Sequence, residues 1–309
     1  MQLTVATYNI HKGLTGWQWL RAADGTDPAP AEPQPAAAAP RRLLDGLRRR
    51  LPLRGRRALR VHELAQALAL LDADLVFLQE VQHSHQRHAE RYTEWPDMPQ
   101  SEFLAEPLGY HHAYESNAVH RHGEYGNALL SRFPVLDSHR QEMSDHRFER
   151  RGLLHVRLSV PSLPGGVLHA VVLHLGLLAA SRTRQVAIAR DTIAERIGQG
   201  EAVIVAGDFN DWQNRIAPHH LGAGFVNAVP ERAGMLRRAQ PTFPARLPLL
   251  PLDRICARGF AVLPQPPIEP RAWRQLSDHM PLVARLQWPA AAPTARRRAA
   301  HDDGQAARR

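Results

Sequence analysis

Apolar and polar residues alternate along residues 2–10, and β-branched side chains within LTVATYNI predict a strand there. The pattern breaks over residues 21–57 and resumes in ALRVHELAQALALLDA (58–73). There Val61, Leu64, Leu68 and Leu71 fall at helical spacing. DLVFLQEV (74–81) is a nearly continuous apolar run and predicts a buried strand. Residues 82–123 read as irregular and His-rich, with a short helix near SEFLAEPLG. GNALLSRFPV (126–135) predicts a strand ending at Pro134. GLLHVRLSV and VLHAVVLHLGL predict two more, joined by the turn PSLPGG. SRTRQVAIARDTIAERIGQG reads as a helix with a Ser cap and a Gly stop, and EAVIVAGDFND as a buried strand with a polar end. The last strands fall near LDRICARG, FAVLP and MPLVARLQW. Many strands, few helices and no strict βαβ repeat favour two packed sheets flanked by helices over a doubly wound sheet.

Composition narrows the class. A chain of 309 residues buries a large core, and 44% hydrophobic content is ordinary for a globular protein. No run of about 18 apolar residues predicts a spanning helix. The N-terminus enters strand-like sequence directly, so no secretory leader is expected. One cysteine, Cys256, forms no intrachain disulfide and fits a reducing compartment, so a cytoplasmic location is expected.

The net charge of +9 changes less than it first suggests. Residues 41–60 carry nine Arg and one Asp (+8), and residues 290–309 five Arg and two Asp (+3). Subtracting both from +9 leaves −2 for the remainder, so the core is near neutral. The chain is expected to form one domain over 1–288, interrupted by a Pro/Ala/Arg-rich insert at 21–57, with a disordered basic tail at 289–309. The insert RRLLDGLRRRLPLRGRR is a solvated basic loop or an amphipathic element for anionic membrane or nucleic acid, which would place the protein peripherally at the inner membrane.

The candidate chemistry sits at the strand ends. LTVATYNIH closes on Asn9 and His11, DLVFLQE on Glu80, and AVVLHLG carries His174. AVIVAGDFN closes on Asp208 and Asn210, and Asp278 and His279 precede MPLVARLQW. Aligned strand ends would gather carboxylates, imidazoles and amides in one cleft. Hard oxygen ligands favour Mg²⁺ or Mn²⁺ over zinc, and no HxxxH or CxxC occurs. An imidazole paired with a carboxylate activates water, and a divalent ion with imidazole and amide donors stabilises phosphoryl charge. Together they describe metal-assisted hydrolysis of a phosphate ester. Neither a G-x-S-x-G elbow nor a P-loop is present.

YNIHKG, FLQEVQ, GNALLSRFPV, VLHLGL, AGDFND, LDRI and SDHMPLV occur in the order found in the endonuclease/exonuclease/phosphatase superfamily, which the chain resembles over residues 1–288 outside the insert. Among its members the chain looks most like a bacterial branch sometimes compared with neutral sphingomyelinases. The resemblance implies the DNase I-like four-layer α/β sandwich, with two mostly antiparallel sheets flanked by helices. It implies Glu80 as principal Mg²⁺ ligand, with Asn9 and Asp278 beside the metal. Asp208 and Asn210 would orient the water and bind phosphate. His279 would be the catalytic histidine, as base or phosphate-bound imidazolium, Asp253 its orienting carboxylate and His174 the second histidine. His11 stands where many nucleases of the superfamily place an acid, which points to one metal rather than two. Arg254 stands where an aromatic is common. Asn127, Arg182, Lys12 and His11 are expected to meet substrate, and Tyr125 to line the cleft. Lys12 is the sole lysine.

The expected function is a Mg²⁺- or Mn²⁺-dependent phosphoesterase. A near-neutral core favours a phospholipid or small phosphoester over DNA, whose recognition demands a basic groove. A DNA nuclease of the same superfamily and a non-catalytic binding protein are the alternatives.

Overall fold

The computed structural model describes residues 1–14, 58–145, 149–229, 239–265 and 268–288. The basic insert and the C-terminal tail lie outside the described residues. Two six-stranded sheets pack face to face. The first runs in the order β11(Ala261–Leu263), β12(Leu282–Gln287), β1(Gln2–Asn9), β2(Leu75–His85), β4(Gly123–Ser131), β3(His111–His120). The second runs β5(Val135–Glu142), β6(Gly152–Ser159), β7(Val167–His174), β8(Val203–Asp208), β10(Asp253–Arg258), β9(Val226–Asn227).

Leu3, Val5, Leu75, Phe77 and Leu129 of the first sheet meet Leu154, Val156, Ala170, Val172 and Ile204 of the second in the central core. Alternate residues of the same strands face outward. On the first sheet they pack under α1(Val61–Ala69) and α3(Gln100–Ala105), and a short helix α2(Gln86–Arg91) follows β2. On the second sheet they pack under α4(Ala179–Arg196). The result is the expected four-layer sandwich. Most pairings are antiparallel, but β1–β2 and β7–β8 are parallel, joined across α1 and α4 respectively. Each sheet therefore carries a parallel pair near its centre, and both pairs end at the same end of the sandwich.

Three expectations are corrected. Residues 82–123 are not irregular, because β2 extends to His85 and β3 occupies 111–120. The strand predicted to reach Pro134 stops at Ser131. There the Ser131 hydroxyl and Phe133 backbone bond each other in a tight turn, and Val135 opens β5 in the other sheet. The long helix starts at Ala179 with no side-chain cap, and the Ser181 hydroxyl instead donates to Asp145 at 2.6 Å.

Candidate active site

The site forms where the two parallel pairs end. Asn9 closes β1, Glu80 lies in β2, His174 closes β7 and Asp208 closes β8. Antiparallel partners bring their first residues to the same end. Asp253 opens β10 directly opposite Asp208, and β12 begins opposite Thr7, just after Asp278 and His279. Carboxyl ends of parallel strands are where open α/β sheets place ligands. Here two such edges face each other.

Local backbone departs from regularity to aim the side chains. The β2–β4 register slips between Leu78 and Val81, so Glu80 sits in a bulge at φ 55° instead of following strand alternation. His11, Lys12 and Asn210 also hold positive φ. Four of the six non-glycine residues in this conformation among those described thus belong to the site, each at a cost of order 1–3 kcal/mol. Gly207, before Asp208, lies so close to β7 that an added Cβ would fall 1.8 Å from the Leu173 carbonyl oxygen.

Asp208 is the hub. Its Oδ2 accepts from Asn9 Nδ2 at 3.1 Å and lies 3.7 Å from both His174 Nε2 and His279 Nε2. Its Oδ1 accepts from the Asn210 backbone at 2.9 Å. His279 Nδ1 is 2.8 Å from Asp253 Oδ2, which fixes the ring and turns Nε2 toward Asp208. All of these residues are buried. Burial lowers the His279 imidazole, but the charges of Asp253 and Asp208 and the Asp253 hydrogen bond outweigh it and hold the ring protonated well above its ordinary range. Burial raises Asp208 out of the usual carboxylate range, against the pull of His279. His174 moves the other way, because burial and the Arg151 charge keep it neutral.

Beside this closed half lies an open one. Glu80 and Asp278 are partly accessible, and His11 Nδ1 stands between them at 3.9 and 3.4 Å. Burial would raise Glu80, yet neighbouring cations, Lys12 foremost and Arg151 among them, hold it ionised far below the usual range. Asn9 joins the halves. Its Nδ2 also reaches Glu80 at 3.4 Å, and its Oδ1 accepts the His11 backbone N–H. Asn9 thus spaces the two carboxylates with its amide nitrogen.

Two groups of ligand-type side chains are available to a cation. Asp208, Asp253 and His279 place ligand atoms within 4.8 Å of one another. Asp253 Oδ2, however, is committed to His279, and all three side chains are nearly buried. Glu80 and Asp278 offer carboxylates beside solvent, which suits a hydrated hard ion such as Mg²⁺.

The remaining expected residues are placed as follows. Lys12 Nζ lies 4.6 Å from the Tyr125 ring centroid, and its charge is the largest cationic influence on Glu80. Asn127 is fully buried and donates to the Gly152 carbonyl at 2.9 Å, tying the two sheets together near the site. Arg182 is buried too, and its Nη1 donates to the Gly176 and Leu177 carbonyls at 3.2 and 2.6 Å. Its guanidinium lies over Trp212, 4.7 Å from the centroid. Asn210 Nδ2 is spent on the Leu175 carbonyl at 2.8 Å. These last two brace the loop after β7 against the loop after β8.

One cation escaped the sequence reading and another was noted there without a role. Arg151 is buried beside Leu175, donating to its carbonyl at 3.2 Å and to Glu149 at 3.0 Å, and its charge acts on both Glu80 and His174. The signal was there: Arg151 precedes the strand antiparallel to the one ending at His174. Arg254 had no assigned role. It bonds Asp211 Oδ2 at 2.7 Å, Asn214 Oδ1 at 2.9 Å and the Ile216 carbonyl, locking the loop that begins at Asn210.

Comparison with known proteins agrees with this fold. A family model described as the Endonuclease/Exonuclease/phosphatase family matches residues 6–279. The chain is 39% identical to the Escherichia coli K12 protein YbhP over 225 residues, 72% of this chain and 87% of that one. An endonuclease/exonuclease/phosphatase structure from Beutenbergia cavernae superposes with TM-score 0.61 at 18% identity, covering 94% of this chain and 72% of that one. ANGEL2, described as a 2′,3′-cyclic phosphatase, superposes with TM-score 0.57 at 16% identity, covering 92% and 95%.

Proposed function

Since the chain belongs to the endonuclease/exonuclease/phosphatase family, we propose that it is a divalent-metal phosphodiesterase, with Mg²⁺ or Mn²⁺ as cofactor and a phospholipid or small phosphoester as substrate. The observation that carries this is the pairing of a buried proton-handling half with an open anionic half across Asn9, whose amide nitrogen meets both Asp208 and Glu80.

The ion, held by Glu80 and Asp278 with Asn9 beside them, would supply Lewis-acid charge to the phosphoryl group. The chain's own groups account for the rest. Asp208, with its proton affinity raised by burial, accepts a proton from the attacking water. The Asn210 N–H fixes the Asp208 carboxylate while this happens. His279, held as imidazolium by Asp253, presents Nε2–H to a phosphoryl oxygen as negative charge grows there. Neutral His174 shares the same oxygen of Asp208 and is placed to hydrogen-bond the phosphate or leaving oxygen. Lys12 adds a point charge at the mouth.

The near-neutral core supports a lipid or small phosphoester rather than a DNA duplex. The direct test is turnover of bis-p-nitrophenyl phosphate. Activity should require Mg²⁺ or Mn²⁺, vanish with EDTA and return when metal is restored. Glu80→Gln should need roughly 10–100-fold more metal for half-maximal rate. Turnover that persists in EDTA, or full activity of Glu80→Gln at low metal, sinks the reading.

A further inference from the structure

Nine large hydrophobic side chains among the described residues are strongly exposed, and five of them crowd onto the loops around the site. Leu177 and Leu178 follow β7, Trp212 follows β8, and Leu247 and Leu249 precede β10. These five are 37–63% exposed. Strands β7, β8 and β10 are consecutive neighbours, and the registers put all three loops at the end that carries His174, Asp208 and Asp253. Adjacent strands lie about 4.8 Å apart, so the loops form a row along one wall of the site.

Two sets of contacts tie this row to the chemistry. Leu249 donates its backbone N–H to the Phe243 carbonyl at 2.8 Å, and the Phe243 ring packs 5.0 Å from the His279 imidazole. The Leu177 carbonyl is held by Arg182, over which Trp212 stacks. The acids beside the row are paired with arginines: Glu149, which accepts the Leu177 N–H at 3.2 Å, with Arg151, and Asp145 with Arg184. Exposed Arg246 and Arg215 stand among the apolar groups, and residues 174–184 and 239–252 contain no acid. Asp211, the one carboxylate in 209–222, is buried under Arg254.

We propose that this row is an interfacial docking surface by which the enzyme sits on an anionic phospholipid bilayer, with the headgroup phosphodiester as the substrate presented to the site. This deepens the phosphodiesterase reading and rests on it for the substrate step alone. A bilayer interface accepts separate Leu and Trp side chains without shape complementarity, and arginines among them meet lipid phosphates. A nucleic acid would instead require a track of cations along the groove. The Pro-rich tip RLPLLP keeps its leucines outward, since Leu247 N–H and Leu249 N–H are bonded back to Pro244 and Phe243.

The test uses the full chain and flotation with vesicles of phosphatidylcholine, alone or with phosphatidylglycerol as about one-quarter of the lipid. The wild type should float with the anionic vesicles. The triple variant Leu178→Ser, Leu247→Ser, Leu249→Ser should lose binding by about tenfold or more, as apolar insertion sets interfacial affinity. Its turnover of bis-p-nitrophenyl phosphate should stay within about twofold, because none of the three contacts the site residues. Arg246→Ala should weaken binding by a smaller factor, and only on anionic vesicles. Triple-variant binding equal to wild type overturns the proposal, as does wild-type indifference to anionic lipid. Binding to a DNA duplex lost with the same leucines reassigns the surface to nucleic acid and also overturns it. Vesicle binding that is leucine-dependent, in a protein that turns over no phosphodiester, supports the docking surface and removes the enzymatic reading instead.

Discussion

Strand β7 carries two buried histidines with opposite fates. His174, at its end, faces Asp208 beside His279. His169, near its start, lies on the outer face of the second sheet, stacked on His155 of β6 with Nδ1 and Nε2 2.9 Å apart. Both pairs are nearly inaccessible to solvent. The site pair is split in charge, with His279 driven up by Asp253 and Asp208 while His174 is driven down. The outer pair is depressed in both members. Burial lowers His155 to about 4, with His169 adding to it, and burial also lowers His169, opposed chiefly by half-exposed Glu201 at 3.5 Å. Burial is therefore common to both pairs. A buried carboxylate held at 2.8 Å, as Asp253 is by His279, is what separates the charged imidazole from the three that burial depresses.

The strongest challenge to that distinction is to remove one member of each pair. His279→Ala should lower kcat for bis-p-nitrophenyl phosphate by about 10²–10⁴ with the fold intact by circular dichroism. His155→Leu with His169→Leu should leave kcat within about twofold. Equal losses from the two changes would erase the comparison.

The two pairs should also differ in what pH does to stability. The unfolded imidazole titrates near 6.5. The His155 pKa is depressed in the fold, so its contribution is complete above about 6.5 and is lost as pH falls toward 4, where the unfolded chain binds a proton that the fold refuses. The depression to about 4 corresponds to roughly 3 kcal/mol across that window. His279 has the opposite sign, because its raised pKa stabilises below 6.5 and the gain is lost as pH rises into the alkaline range. Thermal unfolding from pH 7 to pH 4 should therefore show a shallower fall in Tm for the outer-pair double variant than for wild type. Parallel curves would mean that the outer pair is not the titrating element.

The same contrast explains what was legible in the sequence. Strand ends such as GDFN and LQE were readable because long apolar runs stop there on polar groups that no core accepts. Central strands are apolar on both faces, so β1, β2, β6, β7, β8 and β10 were all found. The strands that escaped, β3, β5 and the two-residue β9, are sheet edges with little buried side chain. HHAYESNAVH buries only Ala113 and Asn117, and VLDSHRQE buries none. Side-chain roles beyond the strand ends were not readable either. Arg182 and Asn127 looked like substrate ligands by position, yet both spend donors on backbone carbonyls. Such commitments depend on which loop lies opposite, and that is set by tertiary packing.

Arg254 offers the smallest and most specific test. Along β10 successive side chains alternate, so Asp253 orients His279 while Arg254, on the opposite face, grips the loop that starts at Asn210. One dipeptide thereby fixes both the imidazole and the amide that holds Asp208. Arg254→Lys keeps the charge beside buried Asp211 but cannot reach Asp211, Asn214 and the Ile216 carbonyl together with one ammonium. Asn210 should lose its fixed position while His279 keeps Asp253. We expect kcat to fall about tenfold with KM and the metal requirement little changed, the scale typical of a residue that supports a catalytic group from behind. A change confined to Tm would make Arg254 a stabilising ion pair alone and return the positioning of Asn210 to its own bond with Leu175.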